Sequence, residues 1–443
     1  MIIRRFIYMK ICSKKDLKVM AGILAAVSLL GGCNADIREE NTGKILKNQS
    51  KARTEIELSE VSNTGYIKPD MDKLYRKYCC DIFSQTVRDY GGDENIMISP
   101  ASIMMALDMV SAGAKGDSLR QLTDLFAEGQ GPLTQQAYAA DLMKKINGSE
   151  KIKFSCANAI WSNKDILGDS VNTEYVDYVK NTFGAEYTVD GFTKKTPDEI
   201  NQWIGNHTDH MIEKAIDELD PETVMVLVNA IAFDGKWERK YEESQVSEGG
   251  FTKYDGTTQN VDFLHGMEFT YFETEKATGF LKEYEGGQYA FLAILPTNET
   301  ISANEFIRGF TAEDYEAFID SKSIEYEVVT KLPVFKYDFE FTLNDTIENM
   351  GAGNVFHSAT ADLSGITGEP GDLYVSKVIH KTHIEVDTEG TKAAAVTAVS
   401  LNAAGAQPVS KEMRFVECDR PFAYAIIDME SEAPIFIGTV NQV

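Results

Sequence analysis

Histidines are the side chains of this chain whose spacing could serve metal binding or catalysis. His207 and His210 are three residues apart on a stretch that predicts a helix, a spacing at which two side chains share one helix face. No further set of ligands accompanies them, so we interpret both as surface histidines. His380 and His383 lie in a strand-like run, where an odd spacing turns their side chains to opposite faces. The two therefore do not form one site.

Catalytic motifs are missing from the rest of the sequence. There is no G-x-S-x-G, H-E-x-x-H, P-loop or dinucleotide fingerprint, and residues 351–353 form only a lone G-x-G. The cysteines show no metal-ligand spacing and no C-x-x-C pair. Four of them are interpreted as buried free thiols, namely Cys79, Cys80, Cys156 and Cys418. We therefore expect a protein that is not an enzyme and that uses no metal or cofactor.

Residues 1–32 are predicted to be a lipoprotein signal peptide. A basic stretch precedes an apolar run at residues 19–30, which is too short to span a bilayer. The run leads into LGGC at residues 30–33, which resembles a bacterial lipobox. We expect Cys33 to be lipidated and to hold the protein on the membrane at the cell surface. The alternative is an ordinary signal peptide followed by a chance cysteine.

The composition of the remaining chain indicates a tether followed by one large domain. Residues 33–66 are polar and mixed in charge, which is typical of a flexible tether. Residues 67–443 are left for a globular domain, and a hydrophobic content of 43% allows a sizeable core. The formal net charge of −26 argues against nucleic acid as a partner.

Hydrophobic periodicity predicts mainly helices early in the domain and strands later, the pattern of an α+β fold. The run VMVLVNAIAF at residues 224–233 is nearly all apolar, which indicates a strand covered on both faces. The predicted helices are 71–90, 102–112 and 197–218. The other predicted strands are 96–98, 289–295, 325–334 and 434–440.

Several sequence blocks resemble, in order, those of the serpin family, the loop-inserting protease inhibitors. The strongest of them is LVNAIAFDGKW at residues 227–237. The others are NIMISPASI at 95–103, GAKG at 113–116, NAIW at 158–161, INQWI at 200–204, KLPVFK at 331–336, ADLSGI at 361–366, SKVIHK at 376–381 and DRPF at 419–422. The resemblance implies three β-sheets, about nine helices and an exposed reactive-centre loop at about residues 388–414.

The resemblance also implies a mechanism. A protease attacks the loop as a substrate and forms an acyl-enzyme, and the cleaved loop then inserts into the main sheet and drags the protease along. We therefore expect a monomeric suicide-substrate inhibitor of a serine protease, or of a cysteine protease. One alternative is a non-inhibitory serpin that acts as a binding or structural surface lipoprotein. Another is a lipid-anchored hydrolase or solute-binding protein, but the sequence lacks the set of catalytic or ligand-binding residues that either would need.

The start of the loop, EGTKAAAVTAVS at residues 389–400, is compatible with strand insertion. Alternate residues of a strand face opposite sides, and a one-residue slip would bury Lys392. The face that could be buried carries only uncharged side chains, those of Thr391, Ala393, Ala395, Thr397 and Val399. Such small side chains, with Glu389 and Gly390 before them, form the predicted hinge and favour the inhibitory class. We expect the run to be exposed before cleavage, with Thr391 inserting first.

Two positions near the hinge depart from the family pattern. The family commonly has glutamate two residues before the loop glycine, where this chain has Thr388. This difference argues against a salt bridge at the hinge. Lys392 stands where an acidic residue is usual, which reverses the local charge without blocking insertion.

The reactive bond is predicted at one of two places. Counting 14 residues on from Gly390 places it between Ala404 and Gly405. Counting back from the DRPF block places it between Gln407 and Pro408. We favour the first, because a bond before proline resists most serine proteases. A small residue before the bond predicts an elastase-like or subtilisin-like protease.

The resemblance further implies a polar gate where the central strands of the main sheet part. Ser99, Ser102, Asn229 and His380 match the positions of this gate. Their alternative role is that of core polar groups satisfied by the backbone. Trp237 matches the position beneath the point of loop insertion, and a core tryptophan would also fit there.

Overall fold

The computed structural model describes residues 70–127, 129–149, 151–168, 170–212, 214–219, 223–391 and 411–443. Several predicted features lie outside these residues: the signal peptide, Cys33, the tether, Ala393, Ala395, Thr397 and both candidate reactive bonds, Ala404–Gly405 and Gln407–Pro408.

Ten α-helices occur in the described ranges, close to the number implied by the resemblance. They are α1 Met71–Tyr90, α2 Pro100–Ser111, α3 Gly116–Ala127, α4 Pro132–Asn147, α5 Lys164–Leu167, α6 Thr173–Phe183, α7 Thr196–His207, α8 Ala303–Arg308, α9 Ala312–Asp320 and α10 Asn344–Asn349. Among the residues that the structure describes, no helix has the length and apolar character needed to cross a membrane.

The described strands are β1 Met97–Ile98, β2 Lys153–Asn163, β3 Glu186–Asp190, β4 Met225–Lys236, β5 Val246–Thr252, β6 Thr258–Glu268, β7 Tyr271–Glu273, β8 Ala277–Glu283, β9 Tyr289–Pro296, β10 Tyr326–Pro333, β11 Phe335–Thr342, β12 Ile379–Val386, β13 Gly390–Thr391, β14 Glu412–Glu417, β15 Phe422–Asp428 and β16 Pro434–Val440. They form three sheets, as expected. The main sheet has the order β11-β12-β13-β4-β2-β3, the core sheet β1-β16-β15-β9-β8-β7, and the outer sheet β14-β10-β6-β5.

The core sheet is the most deeply buried part of the fold. Every residue of β9, β15 and β16 is buried, in keeping with their largely apolar sequences. Helices α1 and α2 pack against β16, and α2 is buried along its whole length. Cys79, Cys80 and Cys418 are buried free thiols, in agreement with the prediction.

The helix predicted over residues 197–218 is shorter than its apolar spacing suggests. Asp209 and His210 adopt left-handed backbone conformations, with φ of 49° and 58°, and the helical path ends before them. Beyond that turn, Ile212 and Ile216 still pack in an apolar cluster with residues of β2 and β4. The apolar pattern therefore reports burial of the segment against the sheet, and it continues without a helical backbone.

Candidate functional site: the seam of the main sheet

The main sheet has a weak line between β4 and β12, which we call the seam. Both strands pair antiparallel with β13, so they run parallel to each other. Within the described residues, no ladder joins β4 directly to β12. Because β13 contains only Gly390 and Thr391, it bridges the seam at one end. Along the rest of the seam, a further strand could add backbone hydrogen bonds to its neighbours.

Residues 387–391, which comprise the turn after β12 and the two residues of β13, are called the hinge turn. The Asp387 Oδ1 atom accepts hydrogen bonds from the backbone N–H groups of Glu389 and Gly390, at 2.8 and 3.0 Å. Burial raises the pKa of the Asp387 carboxyl, and the two N–H groups oppose that rise. A Cβ atom on Gly390 would lie 2.1 Å from the Gly235 carbonyl oxygen. Glycine is therefore required where β13 meets β4.

The first residues of the predicted hinge are already part of the main sheet. Thr391 is 2% exposed, and its Oγ1 atom lies 2.6 Å from Tyr284 Oη. Gly390 and Thr391 are thus buried strand residues, and the expectation that the whole run is exposed before cleavage is wrong for these two. The reason is their size, since neither side chain obstructs close pairing with β4.

Trp237 lies beneath this end of the seam, where the resemblance places it. Its ring stacks on Tyr284 with the centroids 4.6 Å apart. Its indole N–H donates to the Asp387 carbonyl oxygen and its backbone N–H to the Glu389 carbonyl oxygen, both at 2.9 Å. The tryptophan is therefore a core residue and also a direct support of the hinge turn.

An ion pair holds the hinge turn, which corrects the prediction made from Thr388. The Glu389 carboxylate contacts the Lys240 ammonium group, a few residues beyond the end of β4. The Thr388 carbonyl oxygen accepts a hydrogen bond from the Tyr241 N–H at 3.0 Å. The residue next to the usual position thus supplies the salt bridge, because the turn directs residue 389 towards Lys240.

A buried ion pair lies beside Trp237. Lys282 Nζ is 2.9 Å from a Glu268 carboxylate oxygen, and both side chains are 4% exposed. The same ammonium group is 5.4 Å from the Trp237 ring centroid and 4.1 Å from that of Tyr241. Burial lowers the pKa of Lys282, and the carboxylate opposes this shift. Arg239 also contacts Glu268, at 2.8 Å.

The four predicted gate residues are joined by hydrogen bonds across the underside of the seam. The Ser99 backbone N–H, at the start of α2, donates to His380 Nε2 of β12 at 3.1 Å. The Ser102 N–H donates to the Ser99 hydroxyl at 3.2 Å, and the Ser102 hydroxyl donates to Asn229 Oδ1 of β4. The Asn229 amide then donates to Asn158 Oδ1 of β2 at 2.6 Å. We call the first four residues the gate.

His380 is held neutral inside the gate. It is 2% exposed, and burial lowers its pKa to about 3. The ring accepts a hydrogen bond at Nε2, which a doubly protonated imidazole could not do. The Phe341 ring covers it in a T-shaped contact with the centroids 5.6 Å apart. Because three of the four gate residues are buried and all four are neutral, its hydrogen bonds are costly to break.

A cavity of about 310 Å³ lies along the seam next to the gate. Part of its wall comes from the start of β4, including Met225 and Asn229, and part from Ile379 of β12. The segment beyond α7, with Ile212 and Ile216, lies against it as well. Space is therefore present between the two strands that an inserted strand would separate.

The remaining predicted side chains do not join this site. His207 stacks on Trp203 with the ring centroids 4.2 Å apart, and His210 lies beyond the end of α7, so the pair shares no helix face. His383 points to the other face of β12 from His380 and contacts Asp338 at 2.7 Å. Within the part of the chain that the structure describes, no group of three or more His, Cys, Asp or Glu residues could hold a metal ion.

The comparisons with known proteins identify the family. The sequence model described as Serpin (serine protease inhibitor) matches residues 73–443. Leukocyte elastase inhibitor A of Mus musculus is 30% identical, over 80% of this chain and 95% of its own length. Iripin-5 of Ixodes ricinus is 32% identical, over 79% of this chain and 89% of its own length. The chain belongs to the serpin family.

A solved structure agrees with this assignment. The thermophilic serpin tengpin in its native state is 36% identical to this chain and has a TM-score of 0.76 with it, covering 85% of this chain and 95% of its own. The predicted α+β serpin fold is therefore confirmed.

Proposed function

We propose that this protein inhibits a serine protease as a suicide substrate, by covalent trapping and insertion of the cleaved loop between β4 and β12. The seam carries this proposal. Gly390 and Thr391 already bridge the two strands, and no ladder joins the strands directly within the described residues. In the sequence beyond Thr391, small uncharged residues alternate on the face that insertion would bury.

The proposed partner is an elastase-like or subtilisin-like protease, or a cysteine protease of similar preference. Ala404 before the proposed reactive bond supports this choice, because a small side chain suits a shallow specificity pocket. No lysine or arginine lies between Lys392 and Lys411, which argues against proteases directed to basic residues. We further propose that lipidated Cys33 holds the inhibitor at the cell surface, on the basis of the LGGC sequence at residues 30–33.

The direct test is covalent complex formation. The full-length protein is incubated with pancreatic elastase and, separately, with subtilisin, and the products are separated on a denaturing gel. A band at the summed mass supports trapping. Rapid cleavage without such a band from any protease would overturn the proposal in favour of the non-inhibitory class. Mass spectrometry of the released C-terminal peptide distinguishes cleavage after Ala404 from cleavage after Gln407.

Hinge variants test the insertion step itself. Ala395→Arg would place a charge on the face buried by insertion, so we expect the yield of complex to fall at least about tenfold while cleavage continues. Ala394→Arg is the matched control, because the same charge would lie on the opposite face of the inserted strand. Equal losses in the two variants would contradict the assignment of faces.

A further inference from the structure

The exposed face of the outer sheet carries an unusual concentration of large apolar side chains. Among the described residues, ten large hydrophobic side chains are exposed, and six of them lie on this sheet or beside it. One of the six, Tyr254, lies in the turn between β5 and β6, and the other five are Met267, Phe269, Ile324, Met413 and Phe415. Single exposed apolar residues are ordinary, whereas a contiguous group of them marks an interaction surface.

Strand register places these side chains next to each other. Val329 of β10 pairs with Met267 of β6 on one side and with Phe415 of β14 on the other. These three residues therefore form one row across the sheet, on one face. Met413 is two residues before Phe415, so it lies on the same face in the adjacent row. We call this group the β14 face.

Two cationic side chains border the β14 face. The Arg239 guanidinium lies 4.9 Å from the Phe269 ring centroid, and Lys411 Nζ lies 5.9 Å from it. Lys411 also donates to the carbonyl oxygen of Ile324 at 2.7 Å. One carboxylate shares this face, because Glu327 of β10 is two residues before Val329 and pairs with Met413. The surface is thus apolar along the row of Met267, Val329 and Phe415, with one acidic side chain in the adjacent row and cationic side chains along one side.

The length of the loop determines which partner reaches this face. Lys411 directly precedes β14 and follows the proposed reactive bonds. Seven residue steps separate Ala404 from Lys411, so their Cα atoms are at most about 25 Å apart, and from Gln407 the limit is about 14 Å. Either bond therefore brings a bound protease close to β14. The bound protease would face this sheet with the part of its surface that binds the loop residues following the cleaved bond.

We propose that the β14 face is a docking surface for the target protease, separate from the reactive loop. It would select proteases that present apolar side chains where they bind the loop residues after the cleaved bond, with an acidic group opposite Lys411. This inference rests on the proposed inhibitory function and adds a second determinant of specificity. Because docking precedes acylation, the surface contributes to the rate of encounter and not to the later insertion step.

The test compares Met413→Ser/Phe415→Ser with the wild type, using whichever of elastase or subtilisin forms the covalent complex. We expect the second-order rate constant for complex formation to fall about tenfold, with an unchanged ratio of complex to cleaved inhibitor. The control is Leu133→Ser, which removes an even more exposed apolar side chain from α4 and should leave the rate unchanged. Equal urea midpoints establish that all three proteins are folded.

Each outcome has a distinct meaning. An unchanged rate in the double variant, with wild-type complex still formed, overturns the docking surface and leaves the proposed function intact. A wild-type protein that forms no complex with any protease overturns both. If the wild type elutes as a dimer in size-exclusion chromatography and the double variant as a monomer, the face joins two copies of this chain and the protease assignment is wrong.

Discussion

The seam of the main sheet is closed at two places by different kinds of interaction. At the hinge turn, the Lys240–Glu389 ion pair has side chains that are 22% and 30% exposed, and the covering strand has two residues. At the gate, neutral side chains are linked by hydrogen bonds, and three of the four residues are fully buried. Partly exposed ion pairs contribute little to stability, whereas a buried polar group that loses its partner is costly.

From this difference we infer the order of events during the proposed loop insertion. The hinge turn is the end at which the two strands can separate at small cost. The gate joins α2, β4 and β12 and has to rearrange before a strand can pass between His380 and Asn229. We therefore expect changes at the gate to alter global stability and changes at the hinge to alter mainly the behaviour of the loop.

Replacing His380 should have the largest effect. His380→Ala removes a buried ring and the acceptor of the Ser99 N–H, so we expect the free energy of unfolding to fall by about 3 kcal/mol, measured by urea unfolding at pH 7.5. His383→Ala is the matched control on the other face of β12 and should cost roughly 1 kcal/mol, because its partner Asp338 is largely exposed. Similar losses in both variants would show that the gate is not a special point of stability.

The pH dependence of stability should report the same residue. The pKa of His380 is about 3 in the folded state against an ordinary 6.5, so the unfolded state binds the proton first. Stability should therefore fall as the pH drops from about 6.5 towards 3, by up to about 1.4 kcal/mol per pH unit. Burial raises the pKa of Asp108 to about 7, which acts in the opposite direction below that pH.

Because these two groups oppose each other, the informative quantity is the difference between the wild type and His380→Gln. Glutamine keeps an acceptor for the Ser99 N–H but does not titrate. We expect the variant to lose less stability than the wild type between pH 6.5 and 4.5, in urea titrations at each pH. Parallel curves would mean that His380 is already accessible to protons in the folded state.

Local sequence predicted three of the ten helices and five of the sixteen strands that the structure describes, and it did best for continuous apolar runs such as β9 and β16. The strand predicted at residues 434–440 has the observed bounds, and the strand predicted at 289–295 differs by one residue. The helix predicted at 197–218 was too long, because apolar spacing indicates burial and does not detect the left-handed backbone conformation of Asp209 and His210.

The contacts of the hinge could not be predicted in the same way. Tyr284, which forms a hydrogen bond with Thr391, is 107 residues away from it in the chain. Lys240, which forms an ion pair with Glu389, is 149 residues away from it. Neither belongs to a motif with a recognisable spacing. The gate residues could be predicted, because the resemblance to the serpin family implied that Ser99, Ser102, Asn229 and His380 lie together. Asn158, the next hydrogen-bond partner of Asn229, was not predicted.

Removing the hinge ion pair should give the smallest change in stability, and it should distinguish the role of the hinge turn most clearly from that of the gate. Glu389→Gln keeps the size of the side chain and removes its charge, so we expect a loss of at most about 0.5 kcal/mol at low ionic strength, vanishing in 1 M NaCl. Glu385→Gln is the matched control, because Glu385 forms an ion pair with Lys336 of β11, on the side of β12 opposite to β13. Both variants should have similar urea midpoints.

Their behaviour with a protease should nevertheless differ. Without the ion pair, the hinge turn separates from Lys240 more readily, so Glu389→Gln should shift the ratio of covalent complex to cleaved inhibitor, whereas Glu385→Gln should not. A shift in both variants would point to a general effect of charge on the sheet. No shift in either would mean that release of the hinge turn does not limit insertion, and the difference between hinge and gate would then lie in stability alone.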